Sequence, residues 1–258
     1  MKLLWFCQQK GIILFDLLLD IFYNTPNMNV AKNIFGVIIS FIFVFTIIGI
    51  SEVLKKKGIL SVEGSRKFVH VGVSNWWLLA MYMIPNYIFA LIPLLIFVVL
   101  NYMSYKKNIF SSMERGKGKE DLGTVYFPLS LAVLVLFTWW DGVLFKNPYY
   151  GAVGALVMGY GDGFAAILGD QYGKHVYHIR GSKKSIEGSA AMFVFSFLVT
   201  IIILFLEFYT LNGLHFLIAF LVAVVSTLIE GITPLGFDNI TVPIISTFFY
   251  IWMRVSIL

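Results

Sequence analysis

The chain has 258 residues, of which 59% are hydrophobic and only 13% charged, with a mean hydropathy of +0.85 and a formal net charge of +5. A soluble domain carries about 25% charged residues, and a single core could not hide this much apolar surface, so an ordinary soluble globular enzyme is excluded. Intrinsic disorder is excluded as well, because 25 Phe, 13 Tyr and 6 Trp are the opposite of a disordered composition.

A membrane-spanning helix needs roughly 20 mostly apolar residues. Residues 1–23 place Asp16 and Asp20 one helical turn apart among Leu, Ile and Phe. That pattern predicts an interfacial amphipathic helix, with a ninth span as the alternative, so 1–29 read as an N-terminal segment ahead of one transmembrane domain over 30–258. Lys10, Asp16 and Asp20 interrupt the apolar stretch, and no cleavable signal peptide is expected. Eight apolar stretches follow, at about 30–54, 68–84, 87–105, 124–140, 149–170, 189–208, 214–230 and 240–257. The second and seventh are near the short limit. The predicted fold is an all-α polytopic membrane bundle of about eight transmembrane helices. Strands are not expected, because the runs are continuous and too long for a barrel. Cys7 is the one cysteine, which leaves no intrachain disulfide and no Cys-x-x-Cys zinc site.

The connections 51–67, 104–122 and 171–187 hold fourteen of the 19 Lys and Arg residues. Under an eight-span topology all three fall on one side, while the intervening connections hold only Lys146. Basic loops stay in the cytoplasm, which predicts an integral multi-pass protein with both termini outside and its polar clusters on the cytoplasmic side.

The richest cluster runs from Gly159 through Gly161, Asp162 and Gly163 to Gly173, Lys174 and His175. Asp162, Ala166, Gly169 and Gly173 share one helical face, where small residues let a backbone or a ligand approach closely. Asp162 lies inside the fifth span, where a carboxylate is costly unless paired, metal-bound or facing a water-filled cavity. A Gly/Ala packing stripe with Asp162 bonded to a neighbouring helix is the plainer reading. Next, Gly181–Ser189 brings Lys183, Lys184, Ser185, Glu187 and Gly188 to a helix N-terminus, whose free N–H groups and dipole favour phosphate. Lys183 by itself fits a basic juxtamembrane loop touching anionic lipid.

In the third cluster, Pro234–Pro243, Asp238 or Asn239 could cap the eighth helix. The alternative is a second carboxylate facing Asp162 across a hard cation such as Mg²⁺, with Glu230 a possible third oxygen ligand. Arg66, Lys67 and His70 enter the second span together, and His70 could serve as a general base or sit at the interface beside snorkelling cations. Asp121 reads as a cap for the fourth span.

Carboxylates for metal, lysines with a helix N-terminus for phosphate, and a base, all on one face of a lipid-embedded bundle, point to transfer of a phosphorus group between a nucleotide and a membrane-dissolved substrate. No Walker or protein-kinase signature occurs. The ordered set Arg66-Lys-x-x-His70, Gly123-Thr-Val-Tyr-Phe-Pro128, Gly161-Asp-Gly-x-Ala-Ala166, Gly169-x-x-x-Gly-Lys-His175, Lys184-Ser-x-Glu-Gly188 and Gly236-x-Asp-Asn-x-x-x-Pro243 resembles the polyprenol kinase family. That family includes dolichol kinases, phytol kinases and CTP-dependent diacylglycerol kinases, and the resemblance covers roughly residues 60–250. The Asp162 and Lys184–Gly188 elements also look like those of the related phosphatidate cytidylyltransferases. Their longer His-Gly-Gly-x-x-Asp-Arg-x-Asp ending is replaced here by Gly236-Phe-Asp-Asn239, which favours a kinase. A second departure is Asp170, where the family typically carries a basic residue.

The resemblance implies CTP- and Mg²⁺-dependent transfer to a lipid. Asp162 and Asp238 would hold metal, and Lys184 would bind triphosphate. The expected activity is a lipid-alcohol kinase that moves the γ-phosphoryl group of a nucleotide, CTP by the resemblance, to an isoprenoid alcohol or diacylglycerol, with His70, Asp162 and Asp238 as catalytic residues and His70 or a carboxylate as the base. Arg66, Lys67, Gly161, Gly163, Gly173, Lys174, Lys184, Ser185, Glu187, Gly188 and Asn239 are the expected nucleotide or phosphate contacts. The expected partners are a membrane lipid and a nucleotide, with no nucleic-acid polymer. The alternatives are cytidylyl transfer to phosphatidate and, outside enzymes, a small-solute transporter with Asp162 in an ion path.

Overall fold

Helix α1 (Pro26–Lys56) is the first long apolar element, with Lys55 and Lys56 in its last turn where cations complement the helix dipole. Gly58 ends the turn at φ +70°, a left-handed conformation that suits glycine beyond a helix end. The computed structural model describes residues 26–107, 122–139, 147–179, 182–234 and 236–257. The predicted interfacial helix over 1–23 and the Asp121 cap lie outside the described residues.

The second apolar stretch is two helices, α2 (Val62–Ser74) and α3 (Trp76–Met83). Ser61 opens α2 by accepting a hydrogen bond from the Gly64 N–H. Asn75 divides the pair: its side-chain amide donates to the Val71 carbonyl at 2.9 Å and its backbone N–H to Gly72, the local competition with helix that this side chain offers. Helices α4 (Tyr87–Lys107) and α5 (Gly123–Thr138) follow. The fifth stretch comprises α6 (Pro148–Leu156), a π-helical turn (Val157–Asp162) and α7 (Gly163–Tyr172). Asn147 caps α6, with Pro148 at its first position.

Then come a two-stranded antiparallel hairpin, β1 (Val176–Ile179) with β2 (Ser182–Ser185), and the helices α8 (Ile186–Phe208), α9 (Gly213–Ile232) and α10 (Asp238–Ile257). Ser185 caps α8, and Asn212 with His215 forms a capping box for α9.

All eight apolar stretches are therefore helical, and the all-α polytopic membrane bundle stands. Among the described residues, six helices are long and apolar enough to cross a bilayer. Two expectations change. The seventh stretch is not short: its cap at Asn212 lets α9 run 20 residues, whereas α5 has only 16. The basic connection before α8 is not strand-free. Val176, Tyr177 and Ile179 favour extended backbone, and the register Val176↔Ser185 to Ile179↔Ser182 leaves only positions 180–181 to link the strands.

The Pro148–Tyr172 span is the axis of the bundle: 72% of its apolar window is buried, against 28% for α1. Around it lie Trp76, Trp77, Met192, Ile203, Ile218 and Tyr250, each almost wholly buried. Gly154 lets α10 approach closely, because a Cβ there would meet the Pro243 carbonyl and the Thr247 hydroxyl. At the end of the bundle away from the hairpin, half-buried Glu207 accepts hydrogen bonds from Asn147 (2.8 Å), Tyr250 (3.0 Å) and Arg254 (3.3 Å), tying α6, α8 and α10 together.

Candidate active site

The π-helical turn ends on Asp162, which is 7% exposed. Such turns interrupt a helix at the cost of local regularity and are common at functional sites. The Asp162 carboxylate cannot stay charged in this setting without partners. Lys67 of α2 supplies one, its Nζ 2.6 Å from Oδ2. His70, one turn further along α2, brings Nε2 to 3.7 Å from the same oxygen. Arg66, on the same helix, pairs with Glu63 at 2.6 Å, and both line the space beside Asp162.

A second ion pair stands opposite. Lys184 of β2 lies 2.5 Å from Glu230 of α9 and also donates to the Glu230 carbonyl. Burial opposes the charge on Lys184, but the Glu230 and Asp238 carboxylates outweigh it and hold the lysine above its ordinary pKa. Asp238 stands at the start of α10, where its Oδ1 accepts from the Asn239 backbone N–H at 3.0 Å and from the Asn239 side-chain amide at 2.9 Å. Gly236, at φ +79°, makes the turn that delivers both residues.

These elements converge so that one carboxylate oxygen each from Asp162, Glu230 and Asp238 lies within 4.8 Å of the others. Three hard oxygen donors at this spacing suit a cation such as Mg²⁺, which prefers oxygen ligands and keeps water or phosphate in its remaining positions. Neither Lys67 nor Lys184 competes as a ligand while protonated. Both are cations already placed beside the site.

A cleft of about 480 Å³ opens over the carboxylates. Arg66, Lys67, Gly173, Lys184, Ser185, Gly188 and Asn239 line it, together with Asp162 and Asp238. The expected face Asp162, Ala166, Gly169 and Gly173 points into it. The same glycines also allow a close helix contact. A Cβ on Gly169 would sit 3.0 Å from the Ser185 hydroxyl, and one on Gly188 would sit 2.8 Å from the Ala165 carbonyl.

Other expected contacts are placed elsewhere. Gly161 packs toward Met192 and Ser196, and Gly163 against Val71, so neither lines the cleft. Lys174 is exposed beyond the helix end. Glu187 turns to His175, accepting at 2.7 Å from the ring and at 3.3 Å from the backbone N–H. It thereby locks the hairpin to the first turn of α8 rather than facing the carboxylates. The Ser185 hydroxyl accepts from the Gly188 N–H at 3.1 Å.

The sequence reading missed Glu63, Asp170 and Ser189 as lining residues, set Lys183 against lipid although it too lines the cleft, and missed both lysine–carboxylate pairs. Glu63 had a readable signal, standing three positions before Arg66 on a helix. The pairs had none, because 95 and 46 positions separate their members.

Comparison with known proteins adds an independent line. The chain is 33% identical over 216 residues to a phytol kinase from Synechocystis sp., covering 79% of this chain and 87% of that protein. It is 31% identical over 221 residues to a probable chloroplastic phytol kinase of Triticum aestivum, covering 78% and 70%. Phytol kinase 1 of Arabidopsis thaliana matches at 30% over 215 residues, covering 75% and 67%. No family model and no solved structure matches the chain. Identity at this level over most of both chains, in a sequence that also carries the ordered polar motifs of the polyprenol kinases, leads to one conclusion: the chain belongs to the phytol kinase family.

Proposed function

We propose that the protein is a lipid-alcohol kinase that transfers the γ-phosphoryl group of CTP to an isoprenoid alcohol, with phytol the first candidate because its relatives are named phytol kinases. The observation that carries the chemistry is the convergence of Asp162, Glu230 and Asp238 within 4.8 Å, beside Lys67 and Lys184, in a cleft at one end of a membrane bundle. CTP as the donor rests on the family resemblance. The cytoplasmic placement of the cleft rests on the concentration of basic residues in the connections at that end.

Asp162, Glu230 and Asp238 would hold Mg²⁺, which when bound offsets negative charge on phosphate oxygens. Lys67 and Lys184 bind and orient the triphosphate as point charges. Arg66, at the cleft rim, adds a guanidinium whose fork suits a phosphate. His70 Nε2 accepts the proton of the attacking hydroxyl. The alcohol oxygen forms its bond to the γ-phosphorus as the bond to the β-bridging oxygen breaks and CDP departs. Phosphoryl transfer asks mainly for positioning and charge stabilisation, and these side chains supply both.

Purified protein with Mg²⁺ and CTP labelled at either the α or the γ position, offered phytol, polyprenols, diacylglycerol and phosphatidate, tests the reading. Label from the γ position in the lipid is the expected result. Label from the α position, accompanied by pyrophosphate, would replace it with cytidylyl transfer. No transfer from CTP or ATP to any lipid would overturn it.

A further inference from the structure

The Gly123–Pro128 motif has no part in the carboxylate chemistry, yet its residues gather at one place. Gly123, Thr124, Phe127 and Pro128 of α5 wall an apolar pocket of about 70 Å³, closed from the other side by α1, α2 and α4. Val44, Val73, Leu94 and Leu131 are among its apolar lining residues. Its polar rim is limited and specific. Arg66 and Asn239 line both this pocket and the carboxylate cleft, so the two spaces adjoin.

His70 stands at the junction. Its ring lies 4.5 Å from the Phe127 ring, centroid to centroid, and faces the pocket. Its Nε2 is buried, makes no hydrogen bond and lies 3.7 Å from Asp162. A buried ring nitrogen without a hydrogen bond is rare in a folded protein, and a ligand hydroxyl at the junction would satisfy it.

We infer that this pocket seats the hydroxyl-bearing end of the lipid alcohol, with the hydroxyl at His70 and the first carbons against Phe127, Leu131 and Val73. The inference rests on the kinase reading above and names where its acceptor sits. The occupant is a lipid rather than a peptide, because the wall is mostly apolar, lies within the helical bundle, and shares Arg66 and Asn239 with the phosphate cleft. The pocket is smaller than the roughly 150 Å³ cavity that takes up one benzene. It therefore holds only the start of the chain. The remainder runs along the outer faces of α1 and α4, where Ile42, Phe45, Ile96 and Val99 are exposed to lipid. Selectivity then depends on branching and unsaturation next to the hydroxyl and only weakly on total chain length.

Kinetics and crosslinking test this together. Leu131→Trp and Val73→Phe, which fill the pocket, are expected to raise KM for phytol at least tenfold while KM for CTP stays within twofold. Unchanged phytol KM in folded variants, or equal rises in both constants, would overturn the inference. Since a bulky substitution can prevent folding, a photoreactive farnesol analogue with its diazirine beside the hydroxyl is applied to the unaltered protein. Crosslinks on peptides spanning 69–76 and 123–131, lost in excess phytol, are expected, and crosslinks confined to other helices would overturn the assignment. Absence of phosphoryl transfer to any alcohol sinks the kinase reading itself, whereas the crosslink map reports on the pocket independently of turnover.

Discussion

Lys67 Nζ and Asp162 Oδ2 stand 2.6 Å apart although 95 positions separate them along the chain. The pair fixes the start of α2 against the π-helical turn of the central span. It also explains how a carboxylate is tolerated 7% exposed inside an apolar bundle.

Removing one member should therefore be worse for stability than removing both. Lys67→Met is expected to destabilise by about 3–5 kcal/mol, the cost of leaving a buried charge unpaired. Lys67→Met with Asp162→Asn should recover most of that. Asp162→Asn alone should also lower stability, because Lys67 is left unpaired, yet keep the protein inserted and lower turnover by at least ~10²-fold. Thermal unfolding in detergent and phosphoryl-transfer rates measured on the same preparations check all three. Near-normal activity in Asp162→Asn would remove this residue from the reacting site.

Glu230 and Asp238 are expected to set the metal requirement. Glu230→Gln and Asp238→Asn should each raise the Mg²⁺ concentration for half-maximal rate by at least ~10-fold, since even outer partners of metal ligands are worth 10–100-fold. A chelator should abolish activity in the unaltered protein, and added Mg²⁺ should restore it. A Mg²⁺ titration that does not move in either variant would take that carboxylate out of the metal site.

Gly154 makes a purely structural prediction. A side chain there would meet the Pro243 carbonyl and the Thr247 hydroxyl of α10. Gly154→Val is expected to cost about 1–3 kcal/mol through overpacking, read as a lowered unfolding temperature in detergent. Gly49, with open space where a Cβ would go, should accept Ala with little change.

The Glu207 cluster lies at the end of the bundle away from the cleft. Glu207→Leu leaves Asn147, Tyr250 and Arg254 without their shared acceptor. A loss of about 2–3 kcal/mol is expected, the worth of hydrogen bonds to a charged group. KM for CTP and for the lipid should remain within twofold. A selective loss of nucleotide affinity would contradict the separation of the two ends.

Much of the architecture is legible in the sequence. Eight apolar stretches are long enough to read without knowing their neighbours, because the bilayer requires each backbone to satisfy itself within its own helix. Asp162, Lys184 and Asp238 stand out for a related reason: polar groups are expensive among apolar residues, so their presence calls for a partner. The break at Asn75 and the hairpin at 176–185 are less visible, since both depend on short-range competition that a hydropathy pattern averages away. Gly161, Gly163, Gly169 and Gly173 look alike in the sequence. The first two face other helices, while the last two line the cleft.

Composition and the order of polar motifs by themselves determined a helical membrane protein with fourteen of its 19 cations in three connections and a likeness to the polyprenol kinases. These properties follow from local transfer energies and from residue order. Only the tertiary structure decided that Lys67 pairs with Asp162, that Lys184 pairs with Glu230, and that three carboxylates meet within 4.8 Å. It also turned the Gly123–Pro128 segment into the wall of an apolar pocket against His70. Such meetings depend on how each helix is rotated and set against the others, and side-chain packing between distant segments settles that.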